Sequence, residues 1–182
     1  MSIKVISGEY GGRKLITPEA ISDDADVRPT KARVREAAFN MLGSRVYFDE
    51  CTVFDLFSGS GAAGIEALSR GAKHVTFVDS TTKWIKQNLE LIKAPTGSYL
   101  VRQANVLSFK PNATADIIFA DPPYRANLID DTLAQKDTLG HSGSLWMLEV
   151  ESNITPTFNE ADFTVLKNKK YGKSTLWLLK QN

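Results

Sequence analysis

Val53-Phe54-Asp55-Leu56-Phe57-Ser58-Gly59-Ser60-Gly61-Ala62-Ala63-Gly64 is the stretch whose reading decides the fold. An apolar run, residues 52–57, predicts a buried strand. The glycines stop it in a tight loop, and the alanines restart the chain as a helix over 62–70, with Gly71 placed to cap its end. A strand, a glycine loop and a helix in that order direct the free N–H groups of the first helical turn at a ligand.

The same alternation continues outward. Residues 74–78 predict a second strand ending at Asp79. Residues 81–93 predict a helix, with Ile85, Leu89 and Ile92 on one face and Pro95 closing it. Further strands are expected over 98–102, 116–120 and 144–150, with a helix over 128–135 before the last. Residues 163–167 and 175–179 read as a closing antiparallel hairpin. Strands alternating with helices imply a doubly wound, mostly parallel α/β sheet. Ligands bind such sheets beyond the C-terminal strand ends. The glycine loop, Asp79 and Asp121-Pro122-Pro123-Tyr124 all fall at strand ends, so they are expected to share one crevice.

Ahead of the first strand, residues 3–6 and 14–17 flank a turn-rich Gly8-Glu9-Tyr10-Gly11-Gly12-Arg13, which predicts a small β-hairpin arm. Arg28-Pro29-Thr30 opens a helix with Thr30 as its N-cap. Val34, Ala37, Ala38, Met41 and Leu42 form its apolar face, bordered by Lys31, Arg33 and Arg35. The organisation expected is residues 1–26 as an arm of the same unit and 27–182 as one domain.

Composition narrows the function. The chain has 182 residues, 42% hydrophobic and 24% charged, with a net charge of +1. That balance does not mark a strong nonspecific nucleic-acid binder, so any such site must be local. The lone Cys51 can form neither an internal disulfide nor a zinc cluster, which suits a reducing cytoplasm and gives no reason to expect a structural metal. No run is long enough to span a bilayer.

Gly59 to Gly64 matches G-x-G-x-x-G, a pattern shared by nicotinamide oxidoreductases and by methyltransferases that use S-adenosylmethionine. Asp79 can hold a ribose in either. Asp55 separates them. A carboxylate at the end of the first strand repels a pyrophosphate and attracts a cationic group such as the α-ammonium of a methionine moiety. Its alternative role is to cap nearby N–H groups. Asp121-Pro122-Pro123-Tyr124 adds a second discriminator. The Asp121 carboxylate and the Pro122 carbonyl can grip the hydrogens of a base's exocyclic amine. The two prolines stiffen that turn, and Tyr124 offers a face for stacking. An ordinary proline turn is the bland alternative.

These motifs resemble class I S-adenosylmethionine-dependent methyltransferases of the amino-methylating group. With Gly12-Arg13-Lys14-Leu15, Arg28-Pro29-Thr30, Arg33-Val34-Arg35-Glu36, Phe39-Asn40 and residues 64–71, the chain resembles the RsmD family, over nearly its whole length. That family methylates the N2 amine of a guanine in 16S ribosomal RNA. The resemblance implies a Rossmann-like seven-stranded sheet with a C-terminal antiparallel hairpin. It implies that Thr30, Asp55, Phe57, Gly59, Gly61, Asp79, Ser80, Asn105 and Val106 hold S-adenosylmethionine. Asn105 stands where many relatives of the wider class carry an acidic residue. The resemblance also implies that Asp121, Pro122, Pro123 and Tyr124 hold the guanine.

Arg13, Lys14, Lys31, Arg33 and Arg35 are RNA-phosphate candidates. Lys167, Lys169, Lys170 and Lys173 form a second cluster, equally readable as a soluble hairpin surface. The partner implied is ribosomal RNA within a small subunit or its assembly intermediate, met by a cytoplasmic monomer. Rival readings are an amino methyltransferase for DNA adenine or protein glutamine, a nicotinamide oxidoreductase, and an inactive RNA-binding module.

Overall fold

The computed structural model describes residues 3–17, 27–43, 45–123 and 127–182. Its centre is a seven-stranded sheet of β3 (Thr52–Leu56), β4 (His74–Asp79), β5 (Tyr99–Gln103), β6 (Ile117–Ala120), β7 (Leu145–Glu151), β8 (Phe163–Tyr171) and β9 (Ser174–Gln181). The order is β5-β4-β3-β6-β7-β9-β8. β3 to β7 run parallel, and β9 joins β7 antiparallel with β8 outside it. The chain winds from β3 out to β5, then jumps back to lay β6 beside β3. The sheet therefore reverses its winding between β3 and β6, the position where such folds open a ligand crevice.

The two sheet faces are covered as that reversal demands. α1 (Val27–Leu42), α2 (Ala62–Ser69) and α3 (Lys83–Ile92) pack on one face, over Val53, Phe77, Phe119 and Met147. α4 (Asn127–Leu133) and α5 (Lys136–Leu139) pack on the other, over Phe54, Ile118 and Trp146. The central strands are buried on both sides, which explains their nearly unbroken apolar sequences. Phe39 of α1 stacks on Phe119 at 5.1 Å and lies 5.6 Å from Phe48, joining α1 to the sheet.

α2 ends as expected. Gly71 lies at φ 97°, Gly71 N–H donates to the Leu68 carbonyl, and Ala72 N–H donates to the Ala67 carbonyl, so the last carbonyls are satisfied. The expected start of α1 needs correction. The helix begins at Val27, so Thr30 lies inside it and is not its N-cap. Pro29 falls in the first turn, where a missing N–H costs nothing. α5 was not foreseen. β8 also runs four residues beyond its expected end.

The N-terminal hairpin is β1 (Ile3–Lys4) paired with β2 (Lys14–Leu15). It is docked on the rest of the fold. Val5, Tyr10 and Leu15 are buried in the core, and two fully buried side chains hold the hairpin down. The Glu66 carboxylate accepts from Ile6 N–H at 2.7 Å and Ser7 N–H at 3.1 Å, and from Arg70 Nε at 2.9 Å. Asn88 Oδ1 accepts from Ile16 N–H at 2.7 Å, while its Nδ2 donates to the carbonyls of Ile16 and Ser60. Asn88 thus ties the hairpin to the glycine loop. Replacing it with leucine leaves those buried backbone groups unpaired. We expect a loss of roughly 1–3 kcal/mol in denaturant unfolding, accompanied by weaker cofactor binding.

Candidate active site

Three carboxylates and one guanidinium line a cavity at the reversal point between β3 and β6. Asp55, Asp121 and Glu149 supply the acidic groups and Arg35 the basic one, with Phe57 and the glycine loop as one wall. β3 pairs with β6 so that Leu56 lies opposite Ala120. The chain segments that leave the two strands, Phe57 and Asp121, therefore start side by side.

The loop is built by contacts the glycine spacing does not announce. Phe57 lies at φ 57°, a left-handed conformation that bulky residues rarely adopt, and this turns the chain sharply out of β3. Ser58 sutures the turn. Its hydroxyl donates to the Asp55 carbonyl and accepts from Val78 N–H at 3.0 Å. Gly59 N–H donates to Asp79 Oδ2 at 2.8 Å. Gly64 serves close packing inside the fold. A Cβ there would sit 2.3 Å from Phe77 Cε1 and 2.9 Å from Asp55 Oδ2, so only glycine fits. That closeness lets Gly64 N–H donate to Asp55 Oδ2 at 2.9 Å.

Asp55 itself is 4% exposed. Burial pushes its carboxyl up to about 8, against the lowering by the Gly64 N–H, and the charges of Asp121 and Asp79 raise it further. A buried carboxyl among other carboxylates is primed for a cation. Glu149 accepts from Ser174 Oγ at 2.7 Å and adds a third negative group that the sequence did not single out.

Arg35, an RNA-phosphate candidate from the sequence, is turned inward. It lines the cavity, its Nη2 donates to the Lys4 carbonyl at 2.6 Å, and its buried Nε has no hydrogen-bond partner among the described residues. Burial pulls its guanidinium down, opposed by the charge of Glu66. Arg33 is exposed, and the side chains of Thr30 and Lys31 lie outside what the structure describes, as does Tyr124. Pro122 is buried and Pro123 exposed.

The rest of the expected cofactor set lies along the ends of β4 and β5. Asp79 Oδ1 accepts from Thr81 N–H at 2.9 Å, and Ser80 is exposed beside it. Each carboxylate oxygen of Asp79 takes one loop N–H, and further lone pairs remain for a ribose. Asn105 Oδ1 accepts from Leu107 N–H at 3.0 Å, capping a short 3-10 helix and leaving its Nδ2 as the group offered outward. Val106 is buried in the core beneath. Gly61 caps α2 at φ 78°.

Arg13 Nη1 donates to the Ile92 carbonyl, which puts it at the C-terminal end of α3, the sheet end away from the crevice. Lys14 is exposed on β2. Cys51 Sγ donates to the Tyr47 carbonyl at 3.2 Å, and burial with nearby carboxylates pushes the thiol up to about 11, which keeps it inert.

The negative cavity disfavours a pyrophosphate and suits a cationic amino-acid ligand, and the comparisons with known proteins agree. Residues 3–180 match the family model described as Conserved hypothetical protein 95. The chain belongs to this family, the RsmD family. It is 35% identical over 157 residues to the ribosomal RNA small subunit methyltransferase D of Escherichia coli K12, covering 84% of this chain and 75% of that one. It is 31% identical over 188 residues to the putative rRNA methyltransferase YlbH of Bacillus subtilis, covering 98% and 99%. The solved structure of the putative methyltransferase yhhF from Escherichia coli superposes with a TM-score of 0.83 at 31% identity, covering 100% and 99%. As an RsmD-family protein the chain is a methyltransferase dependent on S-adenosylmethionine. The donor set fits the chemistry of that cofactor: Asp55 is a buried carboxyl that could meet an ammonium, Asp79 has lone pairs that could take ribose hydroxyls, and the cavity has more acidic than basic groups, as a sulfonium would need. No described helix is long and apolar enough to cross a membrane.

Proposed function

We propose that the protein methylates the N2 amine of a guanine in small-subunit ribosomal RNA. One observation carries this reading. Asp121, at the start of a proline-stiffened turn, faces the same cavity as Asp55 and the glycine loop, so an amine acceptor and a methyl-donor site share one space. When bound, S-adenosylmethionine supplies a methyl group on a positively charged sulfur that is a good leaving group. The protein's own work is then alignment. Asp121 and the Pro122 carbonyl accept the two amine hydrogens and turn the nitrogen lone pair toward the donor. Pro122 is buried, which fixes the carbonyl before substrate arrives. Tyr124 stacks the base, and the target guanine is unpaired when it enters, since a paired one does not present its amine.

Arg35 is the complement of Asp55. An α-amino acid end carries one ammonium and one carboxylate, and the cavity meets it with one buried carboxyl and one guanidinium whose Nε lacks a partner among the described residues. Arg35 is therefore assigned as a carboxylate-binding residue. Arg35→Met is expected to weaken S-adenosylmethionine binding about tenfold to a hundredfold and to leave binding of its decarboxylated analogue unchanged. Equal losses for both ligands in calorimetric titration would refute the assignment.

The deciding experiment offers labelled S-adenosylmethionine and small ribosomal subunits from cells lacking the modification. Label in N2-methylguanosine is the expected result. Label confined to DNA adenine or to protein glutamine overturns the proposal.

A further inference from the structure

The lysines of the C-terminal hairpin are not one patch, because a β-bulge divides them between the two sheet faces. Val165 pairs with Leu179 and Lys167 pairs with Leu178, so Leu166 is an extra residue on β8. Leu166 packs against the core under α1. From Lys167 on, alternation restarts on that face. Lys167, Lys169 and Tyr171 share it, and the Lys169 ammonium lies over the Tyr171 ring at 5.3 Å. Lys170 pairs with Thr175 and points to the opposite face.

Cross-strand partners in an antiparallel ladder project on the same side. Two rows follow from the register. Met147 pairs with Leu178 and Leu178 with Lys167. Glu149 pairs with Leu176 and Leu176 with Lys169. Met147, Glu149 and Leu176 all line the cavity. Lys169 therefore stands one strand, about 5 Å at ordinary strand spacing, from the cavity-lining Leu176, and Lys167 two strands, about 10 Å, from Met147, both on the sheet face that carries the cavity. Both are exposed, and neither forms an ion pair among the described residues.

We propose that Lys167 and Lys169 seat the phosphate backbone of the substrate RNA beside the cavity, and that Lys170 takes no part. This rests on the reading of the chain as an RNA methyltransferase. The occupant is argued from charge. The cavity itself is negative and repels phosphate, so a polyanion can present one base to it only if cations beside the mouth hold the flanking backbone. The bulge is the device that puts them there. An unbroken strand would turn Lys167 and Lys169 to the far face.

The test compares neighbours that change net charge identically. Methyl transfer to small ribosomal subunits lacking the modification is measured for wild type, Lys169→Glu and Lys170→Glu, with cofactor binding and thermal stability alongside. Lys169→Glu is expected to raise KM for subunits about tenfold, with kcat and cofactor affinity near wild type, and to flatten the salt dependence of KM. Lys170→Glu is expected to stay within about twofold, and Lys169→Arg to behave as wild type. Lys169→Ala serves if the reversal lowers stability. Equal KM values for the two reversals overturn the proposal. A wild-type protein that transfers no methyl group to RNA overturns the functional reading and this inference together, a result distinct from equal KM values.

Discussion

Asp121→Ala is expected to bind S-adenosylmethionine within a few-fold of wild type and to lose about two to three orders of magnitude in turnover. The two halves of that expectation come from different contacts. Asp121 leaves the end of β6 beside Phe57 and lines the cavity, where it can reach an incoming amine. Removing one preorganised acceptor from a reaction that depends on alignment costs about as much as removing one oxyanion donor elsewhere. Cofactor binding changes little because two charge effects oppose each other: the cavity loses one negative group, and Asp55 loses a neighbour that holds it protonated. Its carboxylate is one of the groups that raise Asp55, so its loss makes Asp55 easier to ionise and favours the ammonium. Asp121→Asn keeps one acceptor oxygen and should fall between wild type and alanine. Single-turnover rates and calorimetric affinities separate the two effects. Near-wild-type turnover in the alanine variant would rule out the amine-gripping role. Unaltered melting temperatures in both variants exclude a folding explanation for their losses.

What the sequence discloses here depends on how local each cause is. Strand β3, the glycine loop and helix α2 are legible because alternation, turn chemistry and capping act within a few residues of each other. Asp55 is legible as a discriminator because a carboxylate is out of place at the end of an apolar strand. Arg35 is not legible. It borders the apolar face of α1 as Arg33 does, and helical spacing cannot distinguish them. The Lys4 carbonyl, 31 residues away, and the buried Glu66 turn one inward, while the other stays exposed. Asn88 and Glu66 read as helix polar positions, yet each is fully buried because the docked hairpin brings its own unpaired backbone groups to them. The bulge at Leu166 leaves only a faint sign, two adjacent apolar residues in an otherwise alternating strand, and its effect on the lysines needs the register of three strands.

Cofactor binding is expected to release a proton at neutral pH, and Asp55 is the group that loses it. The Asp55 carboxyl is buried, takes one N–H from Gly64, and is raised to about 8 by burial and by Asp121 and Asp79. At pH 7 it is therefore mostly neutral in the free protein. An ammonium placed beside it favours the ionised form, so the proton leaves as the ligand enters. Below about pH 8 the Kd should rise close to tenfold per pH unit. Well above that, the ligand's own α-amino group, with an ordinary value of about 7.7–8.0, must take up a proton to bind, and affinity should fall again. Titration in buffers of different ionisation enthalpy reads both signs directly. Asp55→Asn retains an acceptor for Gly64 N–H but cannot ionise. It should abolish the proton release and weaken binding by about two orders of magnitude or more at the optimum. The free protein should respond in the opposite sense. A carboxyl whose folded value lies above its unfolded one contributes stability that is complete below about pH 4 and is lost as pH rises toward 8. The asparagine variant is spared that loss, so without cofactor its melting temperature should exceed that of wild type at pH 8.5 and match it at pH 4. A variant that is more stable empty and unable to bind places the cost of burying Asp55 in the service of the ligand. Equal melting temperatures at both pH values, with no buffer dependence of the binding heat, would instead make Asp55 an ordinary ionised cap of the glycine loop.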